Sequence, residues 1–252
     1  MELDEIFNYN KLDKNLPIPL YYQIKQMILE AIKKEKIVVG DMIPTELDLC
    51  ERCKVSRPTV RQAISELVSE GYLYRLKGKG TFVAKPKIQA MFLNKLLSFN
   101  EEMNIKGLTP STKVLDLKVV ADNPSINSLL NLSERDKLIY LERVRYANDE
   151  PIVYLKTYIP YEPYSDLLNQ DFVHNSLYAM LEDIYNKRVT RVHRKIEAVN
   201  ATRKEAELLE ISKGDAISRV RTLAYTKDDE TIEYSIAKYR GDRNEFSVEL
   251  YR

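Results

Sequence analysis

Residues 55–83 read VSRPTVRQAISELVSEGYLYRLKGKGTFV. Val60, Ile64 and Leu67 recur at helical spacing, and Gly71 ends the pattern. Ser56 is a candidate N-cap, and Pro58 is tolerated in a first helical turn. Past Gly71, two short runs rich in aromatic and β-branched residues flank Lys77-Gly78-Lys79-Gly80, which reads as a β-hairpin. Arg57 and Arg61 stand one turn apart on the helix, and Lys77 and Lys79 stand on the turn. Cations on a helix and again on the loop just beyond it point to one shared polyanion.

Upstream, Leu20, Ile24, Ile28 and Ala31/Ile32 place an apolar stripe on a helix within residues 17–36. Gly40 and Pro44 break the chain. Thr45, followed by Glu46 and Asp48, is an N-cap with acids in the first turn. Leu47, Leu49, Cys50 and Cys53 supply the apolar positions of a short second helix. Three helices and a hairpin over residues 12–85 predict a winged helix-turn-helix. Its third helix is the candidate major-groove reader, with Arg57 and Arg61 able to grip guanine edges or phosphates. Ser56, Thr59 and Gln62 are further candidate DNA contacts, as are Thr45 and the wing residues Lys77, Gly78 and Lys79. The glycines let the wing approach a minor groove or phosphates closely.

The charge pattern agrees. The 252-residue chain has a net charge of +1, yet residues 10–90 hold 15 Lys/Arg against 9 Asp/Glu. A basic segment in a near-neutral chain predicts a polyanion partner for that segment alone. The length predicts two domains of ordinary size. The start, MELDEIFNYNK, is acidic and has no apolar core of a signal peptide, and no apolar run reaches membrane-spanning length, so a cytoplasmic protein is expected. Cys50-Glu-Arg-Cys53 could be a redox pair or half a zinc site. A structural zinc site needs four ligands and there is no third cysteine, so two packing residues are expected.

"DMIPTELDLCERCKVSRPTVRQAISELVSEGYLYRLKGKGTFVAKP" resembles the winged helix of GntR-type bacterial transcription regulators. The resemblance covers roughly residues 15–85. Two positions depart from the family pattern. Leu47 stands where an Arg or Lys is common, and Lys54 stands where Gly is usual, implying a non-glycine residue at positive φ.

Residues 86–94 read as an interdomain linker. Beyond them the chain alternates long strand patterns with short helices. LIYLERVRYANDEPIVYLKTYIP is a long hairpin turning at Asn148–Pro151, RVHRKIEAVNA is strand-like, and AISRVRTLAY with TIEYSIAKYRGD forms another hairpin. The expected class is α+β, with an N-terminal winged helix and a C-terminal domain built on one antiparallel sheet. Arg143 and Arg145 fall on one face of a strand by the two-residue period. Two such guanidiniums repel unless an anion, or carboxylates of neighbouring strands, join them.

"SFNEEM", "RVRYANDEP", "TYIP", "SLY" and "EYSIAKYRGDRNEF" occur in an order similar to the effector-binding domain of the HutC branch of GntR regulators. That domain, called UTRA, has a fold similar to chorismate lyase, and the expected span is residues 95–252. The resemblance implies a small-molecule pocket for a phosphorylated metabolite, with Arg143, Arg145, Ser176 and Tyr178 holding phosphate, Glu233 and Tyr239 completing it, and amides near Ser98 assisting. Leu155 stands where relatives commonly carry Glu. With Lys156, Tyr154 and Tyr158 alongside, that departure implies fewer ligand hydroxyls or an additional negative charge. The whole then reads as a homodimeric, effector-released repressor of a carbohydrate or related operon on an inverted-repeat operator. No nucleophile, base and orienter set is recognisable. No catalytic residue, metal or cofactor is expected, and His174 and His193 read as surface or structural residues.

Overall fold

In the computed structural model the described residues are 6–7, 9, 12–14, 16–85, 87–121 and 123–249. Most of the acidic start, residues 1–5 and 8, lies outside them, as does Pro86. The chain divides into two compact units, with the boundary between Lys87 and Ile88.

The first unit contains α1 (Leu20–Lys33), α2 (Glu46–Cys53) and α3 (Arg57–Ser69), then β1 (Leu73–Leu76) and β2 (Gly80–Val83). The apolar stripes of the three helices meet in one core, with Ile24, Ile28, Leu49, Val60, Ala63, Ile64 and Leu67 buried against Leu73 and Val83 of the hairpin. Leu47, expected among the apolar positions of α2, is instead 64% exposed. It sits at the second residue of α2, while Leu49 and Cys53, four apart, form the buried stripe. Thr45 and Asp48 form a reciprocal capping box that starts α2. Lys54 ends it in the left-handed conformation, φ 51°, as its substitution for glycine implies. Cys53 is buried, and burial pushes its thiol up to about 11, so it packs rather than reacts at neutral pH. Lys25 of α1 reaches Glu66 at 3.1 Å and Glu70 at 2.5 Å, tying α1 to α3.

The second unit is built on a six-stranded antiparallel sheet in the order β4-β5-β6-β9-β8-β7. The strands are β4 (Pro110–Val120), β5 (Leu138–Ala147), β6 (Glu150–Pro160), β7 (Val189–Asn200), β8 (Ala216–Thr226) and β9 (Thr231–Arg240). Asn148 and Asp149 both take positive φ between β5 and β6, the geometry of a tight hairpin turn. The short helices are α4 (Phe99–Ile105), α5 (Pro124–Leu129), α6 (Leu177–Tyr185) and α7 (Arg203–Leu209). Ser98, Asn123, Ser176 and Thr202 cap them through their side chains.

Residues 86–94 were expected to be a linker, but most of them have regular structure. β3 (Ile88–Ala90) pairs in parallel with β10 (Asn244–Phe246), and Met91–Leu93 form a 3₁₀ turn. Ile88, Ala90 and Phe92 alternate inward, and all three are buried, so the segment belongs to the core of the second unit. A second 3₁₀ segment, Glu162–Asn169, also escapes the sequence reading.

Candidate DNA-binding surface and effector pocket

In the first unit α3 turns Val60, Ile64 and Leu67 inward, which leaves Ser56, Arg57, Arg61 and Gln62 exposed and Thr59 half-buried. The Ser56 and Thr59 hydroxyls lie 2.8 Å apart, and Gln62 leans on Glu66 at 3.4 Å. Arg57 Nε is 3.6 Å from Glu46 Oε2, and Arg75 Nη2 is 3.4 Å from Glu46 Oε1. One carboxylate thus orients a cation of the helix and a cation of the wing. Arg75, which also donates to Ser65, was missed in the sequence because it looks like any exposed strand residue. Arg61, Lys77 and Lys79 are exposed and have no ion pair among the described residues. The wing turns at Gly78, φ 74°, where Lys79 N–H donates to Leu76. Thr45 stands apart from these. Its hydroxyl donates to Asp48 at 2.6 Å and accepts from the Asp48 amide, so its polar groups are engaged in the cap.

In the second unit the period of two decides the site. Arg143 and Arg145 on β5, Leu155 and Thr157 on β6, Glu233, Ser235, Ala237 and Tyr239 on β9, and Val220 and Thr222 on β8 share one sheet face. All of these but the fully buried Thr157 line a cavity of about 110 Å³ together with Ser98, Phe99 and Glu102 of the α4 region, Ser176 and Tyr178 of the α6 region, Phe92 and Arg194. Ser98, Arg143, Arg145, Ser176, Tyr178, Glu233 and Tyr239 therefore all meet at one cavity. Leu155 lines it too. Tyr154, Lys156 and Tyr158 do not: even-numbered residues of β6 face the other side, where Tyr154 Oη donates to Glu142 and Tyr158 packs on Tyr140 and Tyr234. The expectation that these three shape the pocket is corrected by strand parity.

The cavity is cationic and incompletely satisfied. Arg143 is 2% exposed, with Nη2 at 3.5 Å from the Thr157 hydroxyl and its Nε and Nη1 without partners. Arg145 Nε and Glu233 Oε2 are also buried without partners. Burial and then Arg145 disfavour the charged form of Arg143, partly offset by Glu233. A guanidinium cannot shed its proton at neutral pH, so the site keeps the charge, which the Glu233 carboxylate offsets only in part. Phe172 lies under Arg143 and Phe99 under Arg145, at 5.8 and 5.3 Å. Tyr178 and Tyr239 remain protonated donors. Burial, then Glu233, holds Tyr178 well above its usual range, and burial, then Glu102, pushes Tyr239 up to about 12.

Ser98 and Ser176 line the cavity with part of their capacity spent on caps. Ser98 N–H donates to Glu101 and its hydroxyl accepts from Glu101 N–H, while Ser176 accepts from Ala179 N–H at 3.1 Å. Each hydroxyl proton stays available. Arg194 was missed, although Val192, Arg194 and Ile196 fall on one face of β7, and an arginine within an apolar alternation is a readable signal. A roomier groove of about 330 Å³ along α1 is mostly apolar and holds no such group of unpartnered buried charges. His174 pairs with Asp171 on the surface and His193 is exposed.

Comparison with known proteins agrees in both halves. Residues 20–83 match the family described as bacterial regulatory proteins, gntR family, and residues 106–245 match the UTRA domain. The chain is 35% identical to the HTH-type transcriptional repressor NagR of Bacillus subtilis, over 93% of this chain and 96% of that one. It is 30% identical to a probable fructoselysine utilization operon transcriptional repressor of Escherichia coli, over 92% and 95%. Among solved structures, PhnF of Mycobacterium smegmatis superposes with a TM-score of 0.66 at 26% identity, covering 92% of this chain and 98% of that one.

Proposed function

Since the chain belongs to the gntR family of bacterial regulatory proteins and carries a UTRA domain of the HutC type, we propose that it represses a carbohydrate-related operon and is released by a small phosphate ester. The observation that carries this reading is the Arg143–Arg145 pair. Buried Arg143 and half-buried Arg145, each with an unpartnered buried guanidinium nitrogen, face one cavity beside the hydroxyl donors Tyr178 and Ser176. A phosphate monoester brings about −1.5 to −2 of charge and three acceptor oxygens, which is what those donors lack. Glu233 Oε2 accepts from a sugar hydroxyl. The names of the relatives support a sugar-derived effector, and MngR of Escherichia coli, 30% identical, is likewise a transport/metabolism system repressor for mannosyl-D-glycerate.

In this reading Arg57, Arg61, Gln62, Ser56 and Thr59 read or grip the operator, and Lys77, Gly78 and Lys79 hold the flanking backbone. Thr45 serves by fixing the start of α2. The active species is a cytoplasmic homodimer on an inverted repeat, the usual consequence of a helix-turn-helix with two-fold symmetry. The effector acts by binding more tightly to a state with weaker operator affinity.

A thermal-shift screen against hexose phosphates, amino sugar phosphates and their unphosphorylated parents tests the pocket. A phosphorylated compound raises the melting temperature by mass action, and Arg143→Ala erases that shift while operator binding persists. A shift from uncharged parents alone, or one that survives Arg143→Ala, would overturn the phosphate assignment.

A further inference from the structure

The cavity holds a third guanidinium that the phosphate reading does not use. Arg194 on β7 is half-buried, lies over the Phe92 ring at 4.9 Å, and donates one Nη1 hydrogen bond to the Phe92 carbonyl. No carboxylate lies in ion-pair range of it among the described residues. A guanidinium has five N–H donors in a fixed fork, so most of its capacity is uncommitted.

Its placement is specific. Leu141, Thr157, Ser235, Thr222 and Arg194 are cross-strand neighbours in one row running over β5, β6, β9, β8 and β7. Arg143 touches this row at Thr157, and Arg194 closes its other end. Between them Thr157, Ser235 and Thr222 form a row of hydroxyl side chains, of which Ser235 and Thr222 line the cavity beside the apolar Leu155, Val220 and Ala237. The strands that root the two arginines are four spacings apart, about 19 Å at the backbone. The fields of Arg145 and Arg194 both reach the Tyr178 and Tyr239 hydroxyls, so both cations serve the same interior. Of the two acidic residues lining the cavity, Glu102 is engaged by Lys106 at 2.5 Å and by the Met91 amide, leaving Glu233 as the sole counter-charge. One phosphate seated on the free donors of Arg143 and Arg145 leaves the Arg194 fork unanswered.

We infer that the effector carries two anionic groups on one polyhydroxy skeleton: a phosphate held by Arg143 and Arg145, and a carboxylate read by Arg194 at the far end of the hydroxyl row. This rests on the phosphate pocket proposed above and narrows its ligand class. Arg194 is then the residue that separates acidic sugar phosphates from neutral ones, because a charge-assisted fork on a carboxylate has no equivalent on an alcohol.

Calorimetric titration with inorganic phosphate, glucitol 6-phosphate and 6-phosphogluconate tests it on the full chain. The two organic probes share a six-carbon chain and differ at one end, alcohol against carboxylate. The expected result is that 6-phosphogluconate binds at least about tenfold more tightly than glucitol 6-phosphate. In Arg194→Gln that preference falls to near unity while the affinity for inorganic phosphate holds within about threefold. Arg194→Lys keeps charge without the fork and retains part of the preference. Equal affinity for the two organic probes in the unaltered protein, or a preference that survives Arg194→Gln, overturns the inference. If Arg194→Gln lowers thermal stability and weakens all three probes alike, the residue only braces Phe92 and the inference also fails. A different result reaches the underlying reading: no binding of any probe, unchanged in Arg143→Ala, removes the phosphate pocket itself.

Discussion

Arg143 illustrates a trade made at a single side chain. Its guanidinium is buried beside Arg145, and among the described residues no carboxylate comes within ion-pair range and two of its donor nitrogens have no partner. Unpaired buried charge is destabilising, and an apolar group of similar volume is often better tolerated. Arg143→Met is therefore expected to stabilise the unliganded protein by roughly 1–2 kcal/mol while abolishing phosphate binding. Urea unfolding reads this as a higher midpoint at unchanged slope. A lower midpoint would mean that Thr157, Phe172 and the field of Glu233 already hold the cation in place. Residue 142, one position earlier, makes the contrast. Glu142 is also buried, but on the opposite face, where Lys204 Nζ at 2.6 Å and the Tyr154 hydroxyl satisfy it. Burial alone would raise its carboxyl, yet those partners hold it below the usual range.

Among the elements, the turn between α2 and α3 is where the sequence departs from the easiest solution. Lys54 sits at φ 51° with its N–H on Cys50 O, and a side chain in that region is held at a cost glycine does not meet. Lys54→Gly is expected to stabilise the unit by about 0.5–1 kcal/mol, the relieved strain slightly outweighing the added freedom of the unfolded chain. Lys54→Val should lose more than that. Thermal melts of the two variants decide it, and equal melting temperatures would show that the turn relaxes around any residue. Positive φ at this position was legible only through the resemblance, since the family pattern carries Gly there. The helices of the first unit were legible because local rules govern them, through stripes such as Val60, Ile64 and Leu67 and the cap at Thr45. β3 was not. Ile88-Gln89-Ala90 is too short to show alternation, and its partner Asn244–Phe246 is more than 150 residues away in sequence. The facing of Arg143 and Arg145 followed from parity within one strand. The presence of Arg194 in the same cavity needed the order β5-β6-β9-β8-β7, which non-local pairing sets and no single strand declares. The same parity, applied to β6, would have turned Tyr154, Lys156 and Tyr158 away from the pocket.

Across the whole chain, the excess positive charge and the proposed anion pocket are carried by different segments. The basic excess lies in residues 10–90, while Arg143 and Arg145 lie in the second unit. The two recognition tasks should then separate by mutation. A duplex selected by the protein from a random pool supplies the DNA probe, and its affinity is measured against salt. Lys77→Ala and Lys79→Ala, both wing cations without ion pairs among the described residues, are expected to weaken all duplexes alike and to lower the salt slope by about one each. Arg57→Ala and Arg61→Ala should each cost about 1–3 kcal/mol on the selected duplex and much less on random DNA, because a bidentate base contact is lost. Arg57 is the weaker case, since Glu46 already claims part of its guanidinium at 3.6 Å, and Arg61 should show the larger loss of preference. Arg143→Ala should leave both the affinity and the slope unchanged, since its anion is not the DNA. If the Arg61 variant keeps the full preference for the selected duplex, α3 is not the reading helix and sequence is read elsewhere in the first unit. If the Arg143 variant loses DNA affinity without any ligand present, the cavity supports the DNA-competent state directly rather than only responding to an effector.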